Sequence, residues 1–327
     1  MQHSPTSPRL SRKLLGLLLC LPLIAHAEPE IVASIKPVHS LVASVMRGIG
    51  EPRLLVQGGV SPHEYNLRPS DARAIDQADL VFWIGPDLES FMVKPLRNAK
   101  GKVRSVALLD ALGVAVLPLR EGGAWEPHEH EHDKHGDHRE GRAHDHDHDH
   151  DRTSGRDPHA WLDPTNAAAM VRQIVAALGE VDPDHRADYE RNGAALIERL
   201  NQLDRQLAAE LAPIRDRPFI VFHDAYQYFE RRYGLNGVGS LVLDPEQRPG
   251  AKRVTEIRAR IRDLGVRCVF GEPQFQPALV ETVIAGSGAR PGVLDPEGGA
   301  DLRVGPEAYF QLLGRLADSL RSCLSGA

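Results

Sequence analysis

Residues 31–48 read IVASIKPVHSLVASVMRG. Ile31–Ile35 is a short apolar run rich in β-branched residues, the mark of a buried strand. Pro37 suits the first turn of a helix, and apolar residues then recur at helical spacing through Arg47 until Gly48 stops the pattern. The chain goes on repeating this strand-then-helix unit. Arg53–Gln57 reads as a strand ending in Gly58-Gly59, and Ser70 is placed to cap a short helix to Gln77 with Asp71 in its first turn. Leu80–Ile84 is a strand, Leu88–Asn98 a helix and Val103–Leu108 a strand. The second half resumes the alternation. Strands fall at Phe219–Phe222, Gly237–Val242, Val266–Phe270 and a short run ending at Leu294; helices fall at Ala225–Arg232, Lys252–Leu264, Pro277–Ala285 and Pro306–Cys323. No repeat at a fixed period of about 20–50 residues appears, which argues against a solenoid. The pattern predicts an α/β protein with mostly parallel sheets flanked by helices.

Between the halves, Ala167–Leu178 is helical, and Asp182-Pro183 looks like an N-cap with proline at the first helical position. A long amphipathic segment follows, with Leu196, Leu200, Leu203, Leu207 and Leu211 on one stripe. As a helix, Asp184–Ala212 would span about 43 Å, enough to brace two domains or to form one overextended core helix. Asn192-Gly193 should weaken its middle.

The first 27 residues read as a targeting leader. Arg9, Arg12 and Lys13 precede the apolar run Leu14–Ile24, which is too short to span a bilayer, and Ala25-His26-Ala27 fits a cleavage site. Cys20 raises the alternative of lipid attachment, against which stands the bulky Leu19. Cleavage after Ala27 removes three cations and no acid, taking the formal charge from −6 to −9. An acidic balance argues against nucleic acid and suits cation capture. About 300 residues remain, enough for two cores. Two cysteines remain, Cys268 and Cys323; an even pair in an oxidising compartment suggests one disulfide, with two separate buried thiols as the alternative.

A low-complexity insert at 121–157 carries nine of the sixteen histidines: His128, His130, His132, His135, His138, His144, His146, His148 and His150, interleaved with Asp and Glu. Such a tract cannot pack a core and reads as a metal-catching segment with weak secondary sites, with a merely solvated charged loop as the alternative. Five other histidines remain in the mature chain. His63 lies just past a strand end, His159 beyond the insert, and His223 directly after the strand Phe219–Phe222. Asp295 likewise follows a strand. In open α/β sheets, ligands gather at the carboxyl ends of strands, so these four can converge between two domains. A lone loop histidine is more often a hydrogen-bonding residue than a ligand. His39, inside a helix, reads as packed or hydrogen-bonded, and His185 as exposed. Three imidazoles with a carboxylate or water make a zinc-type tetrahedral site, although copper and nickel also favour nitrogen ligands. Glu64 sits beside His63 as a further ligand or supporting group.

Taken in order, SIKPVH (34–39), SPHEYNLRPS (61–70), ADLVFWIG (78–85), DPHAWLDP (157–164), VFHDAYQYF (221–229), EPQF (272–275) and LDP (294–296) resemble the zinc-uptake solute-binding family ZnuA over nearly the whole mature chain. The resemblance implies two α/β lobes, a first at 28–183 and a second at 213–327, joined by one long helix at 184–212. It implies Zn2+ held in the cleft by His63 and His159 of the first lobe and His223 of the second, with Asp295 or water as fourth ligand. Family members that place Glu just before the first histidine offer a further option, which Pro62 closes here. Related manganese binders carry a carboxylate where His223 stands. The resemblance further implies a periplasmic location, delivery to an inner-membrane ABC permease, a histidine-rich loop matching the insert, and a Cys268–Cys323 bridge. A monomer is expected. The rival readings are an exported zinc-dependent hydrolase, with Glu64 or Glu272 as base, and a binder of manganese, nickel or copper. Against the hydrolase, the chain has no His-Glu-x-x-His and no Gly-x-Ser-x-Gly motif.

Overall fold

A computed structural model describes residues 28–120, 125, 155–242 and 249–326. The leader and the nine insert histidines, His128 to His150, lie outside the described residues. Among the described residues there are two four-stranded parallel sheets. The first contains β1 (Ile31–Ala33), β2 (Arg53–Leu54), β3 (Leu80–Trp83) and β4 (Arg104–Ala107), in the order β2-β1-β3-β4. The second contains β5 (Phe219–Val221), β6 (Gly237–Ser240), β7 (Cys268–Gly271) and β8 (Arg290–Val293), in the matching order β6-β5-β7-β8. The strand order reverses between β1 and β3 and again between β5 and β7, leaving a crevice at each sheet's carboxyl edge. The central strands β1, β3, β5 and β7 are nearly continuous apolar runs because helices cover both faces of a parallel sheet, while the edge strands β2, β4, β6 and β8 carry polar residues or glycine.

Helix α1 (Lys36–Val45) follows β1, α2 (Pro69–Gln77) follows β2, α3 (Ser90–Asn98) follows β3, and α4 (Pro164–Val181) leads into the joining helix α5 (Arg186–Leu211). In the second half come α6 (Gln227–Tyr233), α7 (Ala251–Asp263), α8 (Ala278–Ile284) and the terminal α9 (Ala308–Leu324). The predicted leucine stripe of α5 is buried throughout. With 26 residues, α5 spans about 39 Å, slightly less than the sequence suggested. It starts later because Pro183–His185 forms a 3-10 turn, in which the Asp182 carboxylate binds His185 and Tyr189 at 2.7 and 2.8 Å.

Two local expectations are corrected. Ser70 does not cap α2; it lies inside the helix, Pro69 opens it, and Asp71 accepts the Arg68 N–H at 3.2 Å. Asn192-Gly193 is not a weak point. A Cβ at Gly193 would lie 2.4 Å from Val175 Cγ2, so glycine is what lets α4 and α5 approach, and Asn192 Nδ2 donates to the Val45 and Arg47 carbonyls at the end of α1.

One buried apolar cluster runs without a break from β1, β3 and α1 through α4 and α5 to β5, β7 and α9. Helices α1, α5 and α9 pack against one another between the sheets. The two lobes therefore share a core. Cys268 at the start of β7 is disulfide-bonded to Cys323 on α9, which decides between the bridge and two separate thiols.

Candidate metal centre

The loop after β2 carries His63. Gly58 and Gly59 both take positive φ, 92° and 80°, and a Cβ at Gly58 would sit 2.8 Å from Lys36 Nζ. Only glycine lets the chain pass between the lobes there. The Ser61 hydroxyl accepts the His63 N–H at 3.3 Å, and Tyr65 donates to Asp71 at 2.7 Å, tying the loop to the start of α2. His159 caps the 3-10 turn Ala160–Leu162. One oxygen of Asp157 accepts both its backbone N–H at 3.0 Å and its ring Nδ1–H at 2.8 Å. His223 stands two residues past β5, and its Nδ1–H donates to Glu272, just past β7, at 2.7 Å.

These carboxylates fix the tautomer of two rings and leave each Nε2 lone pair free. The Nε2 of His159 lies 3.4 Å from that of His63 and 3.4 Å from that of His223. Among the described residues, this trio forms a group whose ligand atoms all lie within 4.8 Å of one another. Two nitrogens bound about 2.05 Å from a tetrahedral zinc stand about 3.3 Å apart. Both pairs that include His159 therefore match the spacing such an ion needs. His159 and His223 are buried at 3% and 4% exposure, and His63 is half-buried, forming the solvent-facing corner.

Burial holds His63 and His159 well below the usual imidazole range, and the neighbouring rings add to that, so both are neutral at physiological pH. Burial also pulls His223 down, but the Glu272 carboxylate outweighs it and raises the ring above its ordinary value. Burial pushes Asp157 up to about 7, against the pull of its bond from the His159 N–H.

The other sequence candidates fall elsewhere. Asp295 lies outside the trio, and its carboxylate accepts from Gln274 Nε2 at 3.1 Å, the Glu297 and Gly298 N–H groups at 3.1 and 2.9 Å, and the Gly299 N–H. It organises its own turn. Glu64 is exposed and outside the trio. His39 donates from Nε2 to the Pro52 carbonyl at 2.9 Å, matching its packed reading. Glu272 serves as the partner of a ring rather than facing open space as a base. Asp157 went unassigned in the sequence, although its place two residues before His159 is what lets it reach back to that ring.

Two α/β lobes of like strand order, with imidazoles from both meeting in a buried cleft, define a metal-binding solute-binding protein. Comparison with known proteins narrows the class. Residues 31–323 match the family model "ZnuA: Zinc-uptake complex component A periplasmic", and the chain belongs to that family. It is 48% identical over 313 residues to the high-affinity zinc uptake system protein ZnuA of Brucella suis, covering 92% of this chain and 93% of that one. It is 34% identical over 298 residues to the ZnuA of Yersinia pestis, covering 91% and 92%. A crystal structure of ZnuA superposes with a TM-score of 0.72 at 25% identity, covering 91% of this chain and all of that one. A zinc-bound ZnuA deletion mutant does so at 0.71 and 26%, covering 92% and 100%. The family is a component of zinc transport, and among the described residues no helix is long and apolar enough to cross a membrane.

Proposed function

We propose that this protein captures Zn2+ in its inter-lobe cleft on the Nε2 atoms of His63, His159 and His223, and delivers it to an inner-membrane ABC permease. The observation that carries the reading is that the Nε2 of His159 lies 3.4 Å from those of His63 and His223, while the Nδ1 atoms of His159 and His223 are already bonded to carboxylates. Water takes the fourth position, because the Asp295 carboxylate is already held by Gln274 and three backbone N–H groups of its own turn. Three nitrogen donors favour zinc over manganese, which prefers oxygen. The lobes divide as 28–183 and 213–327 about the helix 184–212. The leader is cleaved after Ala27, the mature chain is a monomer, and it performs no catalysis. Because the core is continuous across the lobes, release proceeds by local movement of the histidine loops on contact with the permease.

The test is a calorimetric zinc titration of the mature chain and of a variant lacking residues 128–150. One tight site in both, with weaker sites lost in the variant, supports the reading. Loss of the tight site with the insert, or displacement of zinc by manganese at equal free concentration, overturns it.

A further inference from the structure

Arg120 is the last described residue before the insert apart from Trp125, and it reaches across the cleft. Its Nε donates to both oxygens of Asp224, at 3.0 and 2.9 Å, and its Nη2 to the same carboxylate. Its Nη1 donates to Glu230 on α6 at 2.6 Å. The indole of Trp125 stacks on the guanidinium, 3.5 Å from Cζ to ring centroid. The receptor is built into the second lobe. Glu230 is buried at 5% exposure, and a Cβ at Gly237 would lie 2.5 Å from its carboxylate, so glycine at 237 is what gives Glu230 its space.

The placement ties Arg120 to both metal-bearing loops. Asp224 follows His223 directly in the chain. On the other side, Arg120 ends a short antiparallel ladder in which the Leu119 N–H bonds the Gly155 carbonyl at 2.8 Å and the Asp157 N–H bonds the Leu117 carbonyl at 2.9 Å. Asp157 is the residue that holds the ring of His159. The ladder also docks on α6. The Tyr228 hydroxyl accepts the Leu117 N–H at 2.9 Å and donates to the Asp157 carbonyl at 2.8 Å, and Gln227 Nε2 donates to the Pro118 carbonyl at 3.1 Å.

We propose that Arg120 is a positioning residue, an inter-lobe clasp on Asp224 and Glu230 that holds His223 against His63 and His159 and so sets how long the ion stays. This rests on the three-histidine reading of the cleft. Losing the ion requires His223 to part from the other two rings, and the clasp resists that separation beside the ring itself. Charge-assisted, two-point guanidinium bonds in a mostly buried setting are strong enough to matter. Their effect falls on escape rather than entry, because an incoming ion meets the rings already gathered.

The test is stopped-flow release of Zn2+ from the mature protein into excess chelator, with the association rate measured in parallel. Arg120→Gln should release zinc about tenfold faster while binding it within about twofold of the wild-type rate. Arg120→Lys, which keeps the charge but loses the two-point geometry, should fall between them. In the Arg120→Gln background, Glu230→Gln should add little, because the partner is already gone. Arg47→Gln, on an exposed pair with Glu307, is the control and should not change release. Wild-type release from Arg120→Gln, or equal effects from Arg47→Gln, overturns the clasp. Arg120→Lys, which keeps a cation beside the two buried carboxylates, gives the same reading should Arg120→Gln fail to fold. A wild-type protein with no tight zinc site would instead overturn the cleft reading itself.

Discussion

Glu89 offers a quantitative test of the burial argument. Its carboxyl is fully buried past the end of β3, with the Ser34 hydroxyl at 2.5 Å and the Ile84 and Gly85 N–H groups at 3.2 and 2.9 Å. Burial pushes it up to about 7 from 4.5, although those bonds pull the other way. The sign follows from linkage. Between the two values the folded chain keeps a proton that the unfolded chain has lost, so stability from this group is present at low pH and declines as pH rises towards 7. The full effect is about 3.4 kcal/mol, of which about 2.5 kcal/mol falls between pH 5 and 8. Glu89→Gln removes the titration while keeping an amide that can bond Ser34 and the Gly85 N–H. Urea unfolding of both zinc-free proteins from pH 5 to 8 isolates the group as the difference between them. The wild type should lose about 2.5 kcal/mol relative to the variant across that range. A difference that does not change with pH would refute the reasoning, since it would mean the carboxyl ionises as it does in water.

Other outcomes follow from the same contacts. Glu272→Gln and Asp157→Asn should each weaken zinc binding about 10- to 100-fold without removing a ligand, measured by chelator competition. Replacing Cys268 and Cys323 by serine opens a loop of 55 residues and should cost up to about 4 kcal/mol of stability. Zinc affinity should hold, because Cys268 lies at the opposite end of β7 from Glu272. Gly193→Ala should cost about 1–3 kcal/mol in chemical denaturation by overpacking against Val175, and Val175→Ala in the same chain should recover most of it.

The parallel sheets and the joining helix were legible because their signals are periodic. The strand at Ile31, the stripe from Leu196 to Leu211 and the glycines at 58 and 59 each carry a local physical reason that survives folding. His63 and His223 stood out because α/β sheets place ligands past strand ends, and His159, on a 3-10 turn beyond the insert, stood out by its motif DPHAWLDP. What the sequence hid is relational. Gly193 looked like a helix weakness because its reason, the γ-methyl of Val175, lies on another helix. Asp295 follows β8 as its position suggested, but the bonds its carboxylate takes from the backbone amides of its own turn have no signature in the sequence. Arg120 and Asp224 carried no signal at all, since their meeting depends on how two lobes dock across 104 positions of chain.

The central claim is that three imidazole nitrogens, two from one lobe and one from the other, surround a single zinc ion. X-ray absorption at the zinc edge, on one-to-one zinc-loaded protein lacking residues 128–150, reads this directly. A shell of three imidazole nitrogens at about 2.0 Å plus one light oxygen, falling to two nitrogens in His223→Ala, is the predicted result. Two or fewer imidazoles in the parent variant, or a shell unchanged by His223→Ala, would contradict it.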